Sequence, residues 1–166
     1  MNTTLHWKLK NVAGMICEVL IPIKPGNFIG EGKRIAICTL SSLGLLRTIA
    51  DVDDIMSRIL IVGRLLSENK GIDKLIQSTL RRPELHHLIV CGKDMKGHHS
   101  GQALLSLHRN GVNDVGRIIG AVGPYPFLAS PQEAINSFRR RITIHDLIAC
   151  EDIEIVRDIT LSLDIA

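Results

Sequence analysis

Residues 88–111 read LIVCGKDMKGHHSGQALLSLHRNG, and they predict the fold class of the chain. The stretch begins with an apolar run, Leu88–Gly92, that has the length and the Ile/Val content of a strand covered on both faces. A polar loop containing Gly97 follows, and Ser100–Asn110 then has the length and amphipathic pattern of a helix that ends at Gly111. Strand, loop and helix in this order are typical of a parallel sheet wrapped by helices.

The same alternation recurs along the chain from Arg34 onward. The predicted strands are Ile35–Leu40, Ile59–Gly63, Leu88–Gly92, Arg117–Ala121 and Ile142–Ile148. The predicted helices are Ser42–Ser57, Gly71–Arg82, Ser100–Asn110, Pro131–Arg140 and Glu151–Leu163. We therefore predict an α/β fold, a Rossmann-like, mostly parallel sheet of about five strands flanked by helices. Residues 34–166 would form this single domain, and residues 1–33, in which Ile16–Ile23 could be an edge strand or a hairpin arm, would be an N-terminal extension packed on it.

Composition excludes several classes of protein. With 166 residues, 45% of them hydrophobic, the chain can bury one substantial core, which excludes disorder as its main state. No apolar run approaches the roughly 18 residues of a membrane span, and no signal peptide is recognisable, so we expect a cytoplasmic protein with no membrane span. A net charge of +3 and 3% aromatic residues argue against nucleic acid as a partner.

The cysteines and the one tight basic cluster have structural explanations. The four cysteines contain no CxxC pair, so we expect them to be reduced thiols in the core. The cluster Arg139-Arg140-Arg141 ends a predicted helix, where positive charge complements the helix dipole. This position favours a solvated helix end over an anion site.

The chemistry is expected at the carboxyl ends of the strands, where open α/β sheets hold their ligands. The loop after Leu88–Gly92 contains two adjacent histidines, His98 and His99, and leads into a helix N-terminus with free backbone amides. A histidine in such a loop can be a metal ligand, a general base or a local capping group, and the pattern leaves these roles open. The loops Gly63–Gly71 and Gly120–Phe127 also follow predicted strands, so all of these loops could line one crevice.

Other histidines lie away from this loop in the predicted fold. His86 and His87 precede a strand at its amino end, so we expect them at the surface or at an edge. His108 falls within a predicted helix, on its outer or flanking face.

Several blocks of sequence carry a resemblance to a known family. The blocks are Ala36–Leu40, Ser67–Asp73, Leu88–Gly92, Lys96–Gln102, Leu107–Gly111, Ile118–Ala121 and Pro126-Phe127. In their order and spacing they resemble the A subunit of tetrahydromethanopterin S-methyltransferase, a corrinoid-carrying component of a sodium-pumping methyl-transfer complex. The Lys-Gly-His-x-x-Gly-Gln element of Lys96–Gln102 is the most specific part of the resemblance, which runs from about Gly26 to about Asp158.

The resemblance implies a corrinoid (cobamide) cofactor and the residues that bind it. In that family the histidine of the Lys-Gly-His element is the axial ligand of the corrinoid cobalt, and His98 is the position that matches it. A neutral imidazole nitrogen is a good donor to a first-row transition metal. The implied cofactor-binding residues are His98, Gly97, Gly101, Gln102, Gly63, Ser67, Asn69, Gly120, Ala121, Pro126 and Phe127, and none is assigned as catalytic. We expect His99 to be exposed, and Asp94 could reach round the loop to orient the imidazole of His98.

The resemblance further implies a methyl carrier. Such a protein accepts a methyl group on cobalt from a methyl-tetrahydropterin, through a pterin-specific methyltransferase partner, and passes it to a thiol such as coenzyme M. It is the corrinoid subunit of a methyltransferase complex and not a complete enzyme by itself. Family members commonly continue into a membrane-anchoring helix, so we expect either a soluble paralogue that lacks this anchor or a chain that is cut before it.

Two other functions remain open. The first is a homologue that has kept the scaffold and lost the cofactor, acting as a binding or regulatory subunit, which the bulky Arg64 at the pocket edge favours. The second is a zinc hydrolase that uses Asp94 with histidines of the segment from His98 to His108, although no HExxH motif supports it. A nucleotide-binding protein is disfavoured because no GxGxxG element follows the first predicted strand.

Overall fold

The structure is a computed structural model that describes residues 26–163. The predicted edge strand Ile16–Ile23 therefore lies outside the described residues, as does Cys17. In chain order the elements are β1 (Asn27–Ile29), β2 (Ile35–Cys38), α1 (Leu43–Ala50), α2 (Asp53–Met56), β3 (Ile59–Gly63), α3 (Lys70–Leu80), β4 (His87–Gly92), α4 (Ser100–Asn110), α5 (Gln132–Arg141), β5 (Thr143–Ile148) and α6 (Ile153–Ser162). Between residues 26 and 163, none of the helices combines the length and apolarity that crossing a membrane requires.

A five-stranded sheet in the order β1-β3-β2-β4-β5 forms the centre of the molecule. Its strands β2 to β5 are parallel, and β1 pairs antiparallel with β3 at one edge. Each connection between successive parallel strands contains at least one helix, as a parallel crossover requires. The prediction of an α/β fold with a mostly parallel sheet is confirmed.

Helices cover both faces of the sheet, because alternate strand residues point to opposite sides. Cys38 of β2 packs with α3, α4 and α5 on one face, whereas Ile37 packs with α1, α2 and α6 on the other. Cys38 and Cys91 are free and buried, as predicted, and Cys150 is free and half-buried. Burial raises the pKa of Cys38 to about 12, so this thiol stays protonated at neutral pH.

The predicted strand Arg117–Ala121 is wrong, because these residues form an irregular hairpin outside the sheet. Their pairing is limited to isolated bridges, one of them between Arg117 and Phe127. Gly116, just before the segment, and Gly120, within it, have φ angles of 79° and 83° and turn the chain there. The fifth strand of the sheet is β1, which belongs to the residues predicted as the N-terminal extension.

The predicted helix Ser42–Ser57 is also divided into two, α1 and α2. Asp51 ends α1, and Val52 adopts an extended conformation before α2 begins. Asp53 and Asp54 then lie in the first turn of α2, where negative charge is favourable. By contrast, the predicted helix Ser100–Asn110 agrees with α4 at both ends.

Candidate functional site

Three loops meet at the carboxyl edge of the sheet. β2 lies between β3 and β4 and is followed by a tight turn in which Leu40 is buried with a φ angle of 50°. The longer loops after β3 and β4 therefore approach each other above β2. Glu68 of the first loop bonds His98 of the second, and it also accepts the backbone N–H of Tyr125 from the loop after the hairpin. The three loops are therefore joined by hydrogen bonds to Glu68.

The centre of this edge is a hydrogen-bonded pair, His98 and Glu68. Nδ1 of His98 lies 2.8 Å from Oε2 of Glu68, and Oε1 accepts the Tyr125 N–H at 3.0 Å. The Glu68 side chain is 1% exposed. Burial by itself raises the pKa of this carboxyl, but hydrogen bonds from backbone amides and from His98 outweigh burial and hold the pKa of Glu68 below its usual value. Glu68 is therefore ionised at neutral pH and accepts the Nδ1 proton of His98.

The ring of His98 remains accessible on the side away from Glu68, since the side chain is 53% exposed. In the neutral ring with Nδ1 donating to Glu68, Nε2 carries the lone pair and can act as a donor to a metal ion. A carboxylate on the second ring nitrogen is the usual arrangement for histidines that ligate metals. Gly97, with a φ angle of 85°, lies directly before the histidine, and nothing lies within 4 Å of where its Cβ would be.

His99 is exposed, as expected. It occupies the N-cap position of α4 with a φ angle of 50°, and its side chain makes no capping hydrogen bond.

The predicted role of Asp94 in orienting the imidazole is wrong, because its carboxylate caps α4. Oδ1 accepts the backbone N–H groups of Met95 and Gly101 at 2.9 and 2.8 Å, and Oδ2 accepts that of Gln102 at 2.9 Å. The Gly101 and Gln102 amides lie in the first turn of α4, where backbone N–H groups have no partner within the helix. Glu68 supplies the orienting carboxylate instead.

Three of the predicted cofactor-binding residues make contacts within the protein, around β3 and α3. The hydroxyl of Ser67 accepts the N–H of Gly71 at 2.9 Å, and the side chain of Asn69 caps α3. Gly63 ends β3, where a Cβ would lie 3.3 Å from the Asn27 side chain. Glu68, which lies between Ser67 and Asn69, is the functional candidate that sequence reasoning missed, although it belongs to the Ser67–Asp73 block.

Gly101 and Gln102 also have their contacts inside the protein. A Cβ on the buried Gly101 would lie 2.8 Å from the Leu40 side chain, so a larger residue there would require Leu40 to shift. The side-chain amide of Gln102 bonds the backbone of Gly120 and Val122 at 2.9 and 3.1 Å. Both residues therefore hold the loops around His98 in place.

The loop from Gly120 to Phe127 contains the last of the predicted residues. Ala121 and Pro126 are buried, and the half-buried ring of Phe127 lies 5.2 Å from the Tyr125 ring. Ala121 packs in the hydrophobic core that also contains Cys38. The residues lie under the surface of the site rather than on it, with the exception of the exposed Gly120.

Exposed apolar side chains flank the pair, and none of them is among the predicted cofactor-binding residues. Leu66, two residues before Glu68, is 37% exposed, and Val122 and Tyr125 are 65% and 64% exposed. Exposed apolar groups that lie together beside polar functional groups are a feature of ligand sites. The signal available in the sequence was an apolar residue in the loop after β3 and two more in the loop from Gly120 to Phe127.

The other histidines are not brought to this site. Nε2 of His108 donates to the carbonyl of Ile142 at 2.7 Å on the flank of α4, and His87 lies beside His145 at the amino end of the sheet. Among the residues from 26 to 163, no group of three or more His, Cys, Asp and Glu side chains is placed to hold a metal ion. The zinc-hydrolase hypothesis therefore finds no site in this part of the chain.

The fold and the site together define a class: a parallel α/β domain with a carboxylate-bound histidine beside an exposed apolar surface at the carboxyl edge of its sheet. A family model described as the A subunit of tetrahydromethanopterin S-methyltransferase matches residues 22–162. The chain belongs to this family, which confirms the resemblance seen in its motifs.

Curated relatives agree with this assignment. The A 2 subunit of tetrahydromethanopterin S-methyltransferase from Methanothermobacter thermautotrophicus is 44% identical over 94 residues, which cover 55% of this chain and 51% of the relative. The A subunit of the same enzyme from Methanocaldococcus jannaschii is 37% identical over 136 residues, which cover 80% of this chain and 54% of the relative. The chain thus spans about half the length of these relatives.

Proposed function

We propose that the chain is the corrinoid-binding, methyl-carrying subunit of a methyltransferase. It would receive a methyl group from a methyl-tetrahydropterin through a pterin-specific methyltransferase partner, and it would pass the group to a thiol such as coenzyme M. Membership of the family supports the general class, and relatives named as subunits imply further chains. The pterin and thiol sites would lie on these partners.

The observation that carries the proposal is the pair of His98 and Glu68. A histidine that held a cobalt ion would offer a neutral imidazole nitrogen on a ring that is kept in one orientation. The contact between Nδ1 and the buried carboxylate orients the ring, and in the neutral ring it leaves Nε2 as the free donor. The open space at Gly97 and the exposed side chains of Val122 and Tyr125 are compatible with a large macrocycle that is mostly apolar.

The bound corrinoid would supply the cobalt ion that accepts and releases the methyl group. His98 would hold it through Nε2. Glu68 accepts the Nδ1 proton, keeps the ring in the tautomer whose Nε2 is free, and strengthens that nitrogen as a donor. The Tyr125 amide in turn holds Glu68, so the imidazole is supported from two loops.

A visible absorption titration with hydroxocobalamin tests the proposal on wild type, His98→Ala and His99→Ala. We expect wild type and His99→Ala to bind with the same spectrum, because His99 is exposed and makes no capping bond. His98→Ala should give a different spectrum, and its affinity should be at least tenfold lower because the ligand itself is gone. The two variants are a matched pair, since the same substitution is made at neighbouring positions of one loop.

Other outcomes would favour the competing functions. If the wild-type protein bound no cobalamin at any concentration, the homologue without cofactor would be the better explanation. Equal binding by all three proteins would contradict His98 as the ligand.

A further inference from the structure

Polar side chains in a row on α4 form hydrogen bonds to one short loop segment. Gln102, Ser106 and Asn110 are spaced four residues apart, so they lie on one face of the helix. We call these residues the α4 seam. Residues 119–125, which lie between the bridge partners Arg117 and Phe127, are called the seam loop.

Each member of the α4 seam bonds the backbone of the seam loop. Nε2 of Gln102 donates to the carbonyl of Gly120 at 2.9 Å, and Oε1 accepts the Val122 N–H at 3.1 Å. The hydroxyl of Ser106 donates to the same Gly120 carbonyl at 3.3 Å. Nδ2 of Asn110 donates to the carbonyl of residue 119 at 3.0 Å. Together they bond three residues of the loop, Ile119, Gly120 and Val122, to the helix.

The amide of Gln102 is fully engaged in this role. Its second N–H donates to the hydroxyl of Ser106 at 2.9 Å, so both N–H groups have partners within the protein. The partners also determine the orientation of the amide, because the Gly120 carbonyl needs a donor and the Val122 N–H needs an acceptor. Gln102 therefore has no N–H left to donate to a bound cofactor.

The far end of the seam loop lies against His98 and Glu68. The Tyr125 N–H donates to Glu68 at 3.0 Å. Gly123 packs so closely that a Cβ there would clash with the carbonyl oxygen of His98 and lie 3.2 Å from Cγ of Glu68. The loop that the α4 seam holds is thus the loop that borders the histidine.

We infer that the α4 seam is a positioning device: it fixes the seam loop as one wall of the His98 site, and Gln102 affects a bound cofactor only through this loop. The identity of the ligand rests on the proposed function, but the hydrogen bonds of the seam do not. Gln102 is then a positioning residue and not a cofactor contact, which revises the role implied by its place in the Lys-Gly-His-x-x-Gly-Gln element.

The test combines two measurements on wild type, Gln102→Leu, Asn110→Leu and the control His99→Ala. Amide hydrogen exchange at Val122 and Tyr125 is measured by NMR without cofactor, and hydroxocobalamin affinity is measured by visible titration. In Gln102→Leu we expect exchange at Val122 to be roughly tenfold faster, because its acceptor is lost. Affinity should fall roughly fivefold, with an unchanged spectrum at saturation because His98 still ligates.

Asn110→Leu keeps the test decisive if Gln102→Leu does not fold, because Asn110 is exposed at the end of the helix. It should give smaller changes in the same direction, and His99→Ala should change neither measurement.

A Gln102→Leu protein that binds more weakly but exchanges Val122 at the wild-type rate would overturn the inference, because the glutamine would then contact the cofactor directly. Faster exchange with unchanged affinity would also overturn it, since the seam loop would not be a wall of the site. A wild-type protein that binds no cobalamin would instead overturn the proposed function, and with it the role of the seam loop as a wall of a cofactor site. In that case the exchange rate of the Val122 amide in Gln102→Leu would still decide whether the α4 seam holds the seam loop.

Discussion

Glu68 supports both the imidazole of His98 and the backbone of Tyr125, and each of its carboxylate oxygens has one of these donors. Glutamine keeps the size of the side chain but offers a single acceptor oxygen, so one donor would face an NH2 group. We therefore expect Glu68→Gln to weaken hydroxocobalamin binding by roughly ten- to a hundredfold, the range typical of losing the partner of a ligating histidine. A visible titration measures this change.

Glu151→Gln is the matched control for this substitution. Glu151 also contacts the loop after β4, through an ion pair with the exposed Lys93 at 2.7 Å. Because exposed ion pairs contribute little, the affinity of this variant should equal that of wild type. If the two glutamine variants bound equally well, Glu68 would have no special role.

The same residues show how far the site could be predicted. The glycine-containing loop at the correct end of a strand indicated His98, since strand position and loop chemistry are local properties. Which carboxylate orients the His98 ring, that of Asp94 or that of Glu68, does not follow from the local sequence. Asp94 is close in sequence, but the free amides of the α4 N-terminus take it, whereas Glu68 reaches His98 only because β3 and β4 flank β2.

At the scale of elements, the arginines at the end of α5 connect three helices. Arg139 donates to the carbonyls of His108 and Arg109 at the end of α4, at 3.0 and 2.9 Å. Arg141 donates to the carbonyl of Thr79 near the end of α3. The predicted solvated helix end is therefore wrong for these two side chains, because they cap neighbouring helices that the sequence did not show to be adjacent.

We expect Arg139→Met to lower the free energy of unfolding by about 1–2 kcal/mol, because the helix-end carbonyls lose their charged donor. Arg140→Met is the control, since Arg140 is exposed, and its effect should stay within about 0.5 kcal/mol. Urea unfolding followed by circular dichroism measures both. Equal stability of the two variants would contradict the capping role.

Helices and strands could be predicted from the sequence where their apolar residues follow a regular pattern. A parallel strand covered on both faces must be apolar throughout, and β3 and α4 have the predicted bounds. Arg117–Ala121 has the same composition, but its positive-φ glycines prevent a continuous strand, and composition does not reveal this. Only three residues form β1, which is too short to give a clear pattern.

The whole molecule should lose stability in mild acid, because His87 and His145 lie beside each other on β4 and β5. Nδ1 of His87 and Nε2 of His145 are 3.2 Å apart, a hydrogen bond that requires one neutral ring. Burial lowers the pKa of His145, and the charge of His87 lowers it further. Below the ordinary histidine pKa of about 6.5, the unfolded chain therefore binds more protons than the folded protein. Stability from this group is complete above that pH and falls as the pH drops through it.

His145→Gln removes this titration, so its free energy of unfolding should fall less steeply than that of wild type between about pH 7 and pH 5. The difference in slope should correspond to a fraction of one proton, as expected for a partly exposed group. His99→Gln removes an exposed histidine and should keep the wild-type slope. Urea unfolding at a series of pH values measures all three, and parallel curves for wild type and His145→Gln would show that the strand pair does not govern the acid sensitivity.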